Sequence, residues 1–279
     1  MQRSFLKETA VTIMKATVIV LTIIVVFVSI GALYEVESGV SDGNCNIAVL
    51  PIEGVILPYN GLGQFEMIVT PDSIESFMDT VEDESEILAV LLEINSPGGT
   101  PVASERISQR FKSSSLPVVG MIGDVGASGG YMIAAATDYL LASPMSDVGS
   151  IGVSMSYVEE SKKNDEEGLT YVQLTTGKFK DIGSPNRPIT DEERELLQDD
   201  LDLIHNEFVD LVSEYRGMER SAVEELATGA SMPGVKALES GLIDMLGGRS
   251  EATEILAQIL DVDEGDIEYC EFSQGLLPF

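Results

Sequence analysis

The chain has 279 residues, with 16 Lys and Arg against 47 Asp and Glu, and its net charge is −31. This charge excludes a nucleic-acid-binding role, since such proteins need a basic surface for the phosphate backbone. Because 44% of the residues are hydrophobic, the acidity belongs to the surface of a folded protein and not to a disordered one. We expect a salt-adapted surface, on which carboxylates keep the protein soluble where salt screens charge.

An apolar segment near the N-terminus predicts one transmembrane helix. Residues 16–34 are uncharged and rich in Val and Ile, and a helix of this length, roughly 28 Å, spans a bilayer core. Basic residues precede the segment and acidic residues follow it, so residues 1–15 are predicted to be cytoplasmic and the rest of the chain extracytoplasmic. A cleaved signal peptide is the alternative, but the apolar run is long for one and lacks a clear cleavage site.

The remaining chain divides into a linker at residues 35–45, a folded body at 46–260 and a C-terminal tail at 261–279. In the body, apolar strand-like runs alternate with helix-like stretches: strand 46–56, helix from Ser73, strand 87–94, helix from Ser104, strand 116–122, and a long amphipathic helix over 188–215. Thr190 and Glu193 form a capping-box pattern at the start of the long helix. This alternation of strands and helices predicts an α/β fold, with a parallel sheet covered by helices.

Histidine and cysteine are scarce, and this limits the possible chemistry. His205 is the single histidine, and no zinc motif, CxxC pair or phosphate-binding loop occurs, so no metal or nucleotide cofactor is expected. Cys45 and Cys270 lie near the two ends of the body. Two unpaired cysteines are favoured over one disulfide formed outside the cell, since sequence alone does not give connectivity.

Two glycine-rich turns follow strand-like runs and are candidates for a catalytic site. The first, Asn95–Gly99, ends in two glycines that let backbone N–H groups approach a ligand, although an isolated motif of this kind is more often an ordinary turn. The second, Gly126–Gly130, places Ser128 on a sharp turn at a helix N-terminus, where free amides stabilise negative charge. It also fits the G-x-S-x-G nucleophile elbow of α/β-hydrolases.

A nucleophilic serine needs a base, and the residues offer two kinds. His205 would be required by the α/β-hydrolase hypothesis, but it lies mid-helix beside an apolar stripe, where a rim or surface role is more usual. Lys178 and Lys180 instead follow a strand-like run at residues 170–174. A lysine acts as a base near neutrality only if its surroundings lower its pKa from about 10.4, so an ordinary surface lysine remains the alternative.

Several segments in this order and spacing together resemble the S49 serine peptidases, the signal peptide peptidase A family, in the short single-repeat form. The segments are Asn95–Gly99, Ala127–Tyr131, Gly149–Gly152, Gly177–Asp181, Gly241–Asp244 and Leu246–Gly248. The likeness covers roughly residues 46–250 and is far more specific than any single motif. The resemblance implies a Clp-protease/crotonase-like core of βαβ units that follows the N-terminal transmembrane helix.

The resemblance also implies the site and its chemistry. It carries a Ser-Lys dyad over to Ser128 as nucleophile and Lys180, in preference to Lys178, as general base. Ser150 would orient the lysine amine, and the amides of Gly99 and Gly129 would form the oxyanion hole, with Gly98 the neighbouring possibility for Gly99.

The function expected from the resemblance is a membrane-anchored serine endopeptidase that cleaves remnant signal peptides or similar hydrophobic peptides and uses no cofactor. Such proteins form ring-like homo-oligomers in which neighbouring copies complete each active site. The alternatives are a peptidase acting on a stomatin-like membrane partner, a catalytically silent membrane scaffold, and a crotonase-type acyl-CoA enzyme.

Overall fold

The computed structural model describes residues 14–15, 21–22, 45–59 and 67–270. The chain divides into two compact units, Met1–Gly39 and Val40–Phe279, and the fold given below is that of the second. In the part of the chain described, no helix is both long and apolar enough to cross a bilayer. Most of the predicted anchor at 16–34 and most of the predicted linker at 35–45 lie outside the described residues, and both stay predictions.

A parallel sheet forms the centre of the body. Its strands within the described residues are β1 (Ile47–Ile56), β2 (Ile68–Val69), β3 (Ala89–Gly99), β4 (Val118–Ala127), β5 (Tyr139–Ala142), β6 (Asp147–Gly149), β7 (Ser231–Pro233), β8 (Met245–Leu246) and β9 (Tyr269–Cys270). The main path runs β2-β1-β3-β4-β5-β8, with every pairing on it parallel. Three strands lie off this path: β9 pairs with β1, and β6 pairs in parallel with β4 and antiparallel with β7.

Helices cover both faces of this sheet. They are α1 (Pro71–Asp83), α2 (Pro101–Lys112), α3 (Gly129–Ala135), α4 (Ser161–Glu166), α5 (Asp191–Arg216), α6 (Arg220–Leu226), α7 (Gly234–Glu239) and α8 (Arg249–Leu260). Two buried apolar clusters fill the layers, one under α1, α2, α3 and α5 and the other under α8. Alternate residues of β1 serve the two clusters, because successive side chains of a strand point to opposite faces.

The predicted α/β architecture is confirmed, and the parallel sheet is consistent with a Clp-protease/crotonase-like core. The predicted elements from residue 46 to residue 122 match β1, α1, β3, α2 and β4, but β3 and β4 each run five residues further than predicted. The turn predicted at Asn95–Gly99 is therefore wrong, because these residues form the end of β3. The long helix begins after Thr190, and its capping box with Glu193 is present. The strand predicted at residues 170–174 is wrong: these residues are exposed and pair with no strand of the described chain.

A disulfide joins the segment before β1 to the end of β9, which pairs with β1, so the favoured interpretation of two unpaired cysteines is wrong. Cys45 precedes β1, Cys270 ends β9, and their Cα atoms lie 5.1 Å apart. Sequence could not show this, since the pairing depends on β9 adding to β1 across 225 residues. An oxidised pair is typical of proteins outside the reducing cytoplasm.

We expect the double variant Cys45→Ser/Cys270→Ser to lose about 2–4 kcal/mol of the free energy of unfolding, because the crosslink restricts the unfolded chain. Urea titration of both proteins with and without a thiol reductant measures this loss. The reductant should destabilise only the native protein. Equal midpoints for the native protein and the variant under oxidising conditions would contradict a stabilising bond.

Candidate active site

A cavity of about 520 Å³ opens where β3 and β4 end, and it contains Ser128. Parallel strands bring their carboxyl ends to one edge of a sheet, which is where the loops of α/β proteins assemble sites. Five segments wall the cavity: the end of β3 with the start of α2, the start of α3, the loop after β6, one face of α5, and the turn after α6. The residues are Pro97, Gly99, Pro101, Ser128, Gly129, Met132, Ser150, Gly152, Val153, Ser154, Gln198, Leu201, Asp202, Ile204, His205, Phe208, Ala227, Thr228 and Gly229.

Ser128 occupies the sharp turn between β4 and α3 that its sequence pattern predicts. Its φ of 53° and ψ of −124° are rarely adopted by a residue other than glycine. Two backbone bonds hold this geometry: the N–H of Ser128 donates to the carbonyl of Gly149 at 2.8 Å, and its own carbonyl accepts from Met132 at 3.0 Å. Backbone strain held by its surroundings is typical of an active-site nucleophile.

The two glycines that end β3 lie directly against this serine. Gly98 has a φ of 99°, and a Cβ atom there would lie 2.6 Å from the nitrogen of Gly129 and 2.9 Å from the Cβ of Ser128. A Cβ on Gly129 would in turn lie 3.2 Å from the nitrogen of Gly99. The two segments singled out in the sequence therefore meet, and their backbone nitrogens lie beside the nucleophile candidate.

Ser96 fixes the shape of the same segment, the end of β3, and its role was not predicted from the sequence. Its side chain is wholly buried, donates to the carbonyl of Gly54 at 2.6 Å and accepts from the N–H of Gly98 at 3.1 Å. One hydroxyl thus joins β1 to the glycine-containing end of β3. The only available signal was its place in the motif Asn95–Gly99, which does not show where the hydroxyl points.

Ser150 is also brought to the cavity, as predicted. It follows β6, has a φ of 51°, and its hydroxyl donates to the carbonyl of Gly229 at 3.0 Å. The bond joins two walls of the cavity, so Ser150 is held in place close to Ser128. Its role as the group that orients a lysine is not tested by this arrangement.

Lys180 is not brought to Ser128 within one chain. It lies exposed on a turn, does not line the cavity, and no hydrogen bond joins it to Ser128 in the part of the chain described. Lys178 lies on the same turn, where its amine pairs with Glu192 and stacks over the ring of Phe179. The predicted dyad is therefore not assembled from a single copy.

His205 does face the cavity, which its mid-helix position did not predict. It lies on α5 between two other cavity-lining residues, Ile204 and Phe208, and is partly buried. No hydrogen bond joins its ring to the hydroxyl of Ser128 among the described residues. The sequence pattern placed His205 beside the apolar face, and the packing of α5 against α3, the helix that follows Ser128, brings this side of the helix to the cavity.

The neighbouring polar network connects the Lys180 turn to α5. Arg187 bonds both Asp181, the residue after Lys180, and Glu193, in the first turn of α5. The Arg187 guanidinium holds the pKa of Glu193 at about 2, well below its usual range. Sequence analysis identified Glu193 only as part of a helix cap and missed Arg187.

Comparison with known proteins gives a family for this arrangement. A model of Peptidase family S49 matches residues 110–263. A putative protease of Methanocaldococcus jannaschii is 36% identical over 205 residues, which is 72% of this chain and 66% of that protein. A putative signal peptide peptidase SppA of Enterococcus faecium is 33% identical over 63% of this chain and 52% of its own length. A putative protease of Synechocystis is 33% identical over 71% of this chain and 72% of that protein.

These alignments cover between 52% and 72% of the length of the three relatives. The residues matched by the family model include Ser128, Ser150, Lys180 and α5. The family model alone spans more than half of the chain. The chain therefore belongs to peptidase family S49.

Proposed function

We propose that the protein is a serine endopeptidase in which Ser128 is the nucleophile and Lys180 of a neighbouring copy is the general base. The observation that carries the proposal is the strained Ser128, placed in a cavity beside the backbone nitrogens of Gly99 and Gly129. The names of the relatives, among them a putative signal peptide peptidase, support peptidase chemistry.

The proposed reaction is acyl transfer. The Ser128 hydroxyl attacks the peptide carbonyl and passes its proton to the neutral amine of Lys180, while the oxyanion accepts hydrogen bonds from the amides of Gly99 and Gly129. Lys180 then gives the proton to the departing amine, and an ester between Ser128 and the acyl fragment remains. A water molecule attacks this ester by the same route and restores the serine. Ser150 would orient the lysine amine.

The surface supports a lysine supplied by a second copy. Residues 153–189, the exposed arm, connect the loop after β6 to α5 and present apolar side chains to solvent, including Val158 at 73%, Val172 at 72% and Leu174 at 92% exposure. Several large apolar side chains exposed along one segment favour an interaction site. A neighbouring copy that covers the arm would bring its own Ser128 to this Lys180 in a ring-like oligomer.

The substrate class we propose is a hydrophobic peptide such as a remnant signal peptide. Met132, Leu201, Ile204 and Phe208 give the cavity an apolar wall. The predicted anchor at residues 16–34 and the Cys45–Cys270 disulfide support an enzyme that is attached to the membrane and faces outward. The acidic composition supports salt adaptation of this outer body.

One observation favours a second base. Because His205 lines the cavity with Ser128, a Ser-His pair is the alternative to the Ser-Lys dyad. It would act within one copy, whereas the dyad needs two. The two possibilities therefore make opposite predictions about mixed oligomers.

The test is complementation between two inactive variants. Ser128→Ala and Lys180→Ala are co-expressed, and peptide hydrolysis by the mixed oligomer is measured against each variant alone. With random mixing in a ring, about one quarter of the sites combine an intact serine with an intact lysine from the next copy, so about a quarter of native activity should return. Mixtures that stay inactive would contradict a site shared between copies.

A serine-directed covalent probe gives the control. It should label Ser128 in the mixed oligomer and in the native protein, but not in Ser128→Ala alone. Mass spectrometry locates the label. A label on any other serine would contradict the assignment of the nucleophile.

A further inference from the structure

The Lys180 loop, residues 176–189, ends the exposed arm and contains neither a helix nor a strand. A loop of this length in a compact domain needs its own ordering contacts if it carries a functional group. None of its residues is buried, so burial of apolar surface alone does not order it. The contacts that do so converge on Arg187.

Arg187 bonds both the side chain and the backbone of Asp181, the residue that follows Lys180. Its Nε donates to the carboxylate of Asp181 at 3.2 Å, and its Nη2 donates to the carbonyl of Asp181 at 3.0 Å. The hydroxyl of Tyr171 reaches both carboxylate oxygens of Asp181 at 3.0 Å. The peptide that follows Lys180 is therefore fixed from two sides.

The other edge of the same guanidinium is fixed to α5. Nη1 donates to Oε2 of Glu193 at 2.9 Å, and Nη2 donates to Oε1 at 2.5 Å. The Glu193 side chain is only 5% exposed, and Oε2 also accepts from the N–H and the hydroxyl of Thr190, each at 3.0 Å. This carboxylate is thus anchored in the capping box and provides a rigid point of attachment.

The chemistry of the pair requires arginine. A planar guanidinium can bind one carboxylate through two parallel bonds and still bond a second group, whereas an ammonium is a point charge. The low pKa of Glu193 keeps its carboxylate ionised throughout the working range of the enzyme. Lys178, another cation on the loop, forms an ion pair with Glu192.

We propose that Arg187 is a positioning residue that clamps the Lys180 loop to the first turn of α5, so that Lys180 is presented to the Ser128 of a neighbouring copy. The inference rests on the proposed function, in which Lys180 is the base. Arg187 touches neither substrate nor Ser128, and its effect passes entirely through the loop. A misplacement of the amine by about 1 Å is enough to cost activity roughly 100-fold.

The first measurement compares Arg187→Gln with Arg220→Gln. Arg220 also bonds two carboxylates, those of Asp210 and Glu224, but away from the loop and the cavity. Arg187→Gln should lower kcat about 10- to 100-fold and leave KM within about twofold, since the peptide-binding wall is unchanged. Arg220→Gln should keep both constants near the native values. A native kcat in Arg187→Gln would overturn the proposal.

The second measurement assigns Arg187 to one half of the shared site. Co-expressed with Ser128→Ala, Arg187→Gln should regain about a quarter of native activity, because its intact Ser128 meets a lysine on a correctly clamped loop. Co-expressed with Lys180→Ala, it should show no gain over Arg187→Gln alone. The first recovery also shows that the Arg187→Gln chain folds and assembles.

The possible failures are distinguishable. Recovery with Lys180→Ala but not with Ser128→Ala would place Arg187 in the serine half, and recovery with neither would make its role a general one in folding. Either result overturns the clamp while the dyad stands. If Ser128→Ala and Lys180→Ala do not complement each other, the shared site fails instead. In that case the rate at which the covalent probe labels Ser128 tests the role of Arg187. The rate should fall in Arg187→Gln as much as in Lys180→Ala, and an unchanged rate in Arg187→Gln would overturn the clamp as well.

Discussion

Lys180→Ala should abolish peptide hydrolysis as completely as Ser128→Ala, by roughly 10⁴-fold or more in kcat. The two residues are proposed to act as one proton-transfer unit, and the members of such a unit fail together and not additively. The double variant should therefore be no worse than either single one. Steady-state kinetics on an apolar peptide, with the concentration of intact sites measured by the covalent probe, gives the comparison.

Lys178→Ala is the matched control for this prediction. This variant removes an amine two residues before Lys180 that contacts Glu192 and the ring of Phe179. The activity of the variant should therefore stay within a few-fold of native. His205→Gln should likewise leave the reaction in place, and the acylation rate should still rise with pH, because only a neutral amine accepts the serine proton. Substantial activity in Lys180→Ala together with its loss in His205→Gln would establish the Ser-His alternative.

Gly98→Ala should lower kcat about 10²- to 10³-fold, the effect of losing one oxyanion donor. The backbone at Gly98 has a φ of 99°, and the added Cβ would lie 2.6 Å from the nitrogen of Gly129 and 2.9 Å from the carbonyl oxygen of Ala127. These neighbours belong to the end of β4 and the start of α3. The new methyl group must therefore displace the amide of Gly129. The damage is therefore directed at the group that is proposed to stabilise the oxyanion.

Gly168→Ala separates this effect from simple backbone strain. Gly168 also has a positive φ, of 70°, but a Cβ there meets nothing within 4 Å, and the residue lies on the exposed arm away from the cavity. Both variants lose some stability, which thermal unfolding measures, but only Gly98→Ala should lose kcat. Activity of Gly98→Ala within a few-fold of native would remove this segment from the oxyanion hole.

The parts of the site that sequence predicted are those that local patterns determine. Apolar runs followed by glycine turns predict strands that end at one edge of a sheet, and the structure accordingly brings Gly99, Ser128 and Ser150 to one cavity. The capping box at Thr190 and Glu193 is likewise a local signal, confined to four residues. Each of these features could be predicted because the residues that create it are close in sequence.

The parts that sequence did not predict depend on packing between distant segments. His205 faces the cavity because α5 packs against α3, and Ser96 fixes the end of β3 through the carbonyl of Gly54, which lies 42 residues earlier. Residues 170–174 have the β-branched and aromatic composition of a strand but pair with no strand of the described chain. Composition favours an extended backbone, and it cannot say which neighbour, if any, supplies the hydrogen bonds.

The disulfide turns the body into a closed covalent loop, because Cys45 and Cys270 enclose nearly all of its residues. A protease that cuts the exposed arm once, including another molecule of this same enzyme, therefore opens the loop without producing two separate pieces. The new ends lie in the arm, and the strands on either side of the cut stay linked through sulfur and through the pairing of β1 with β9. A self-processed molecule would thus keep its mass until a reductant reached it.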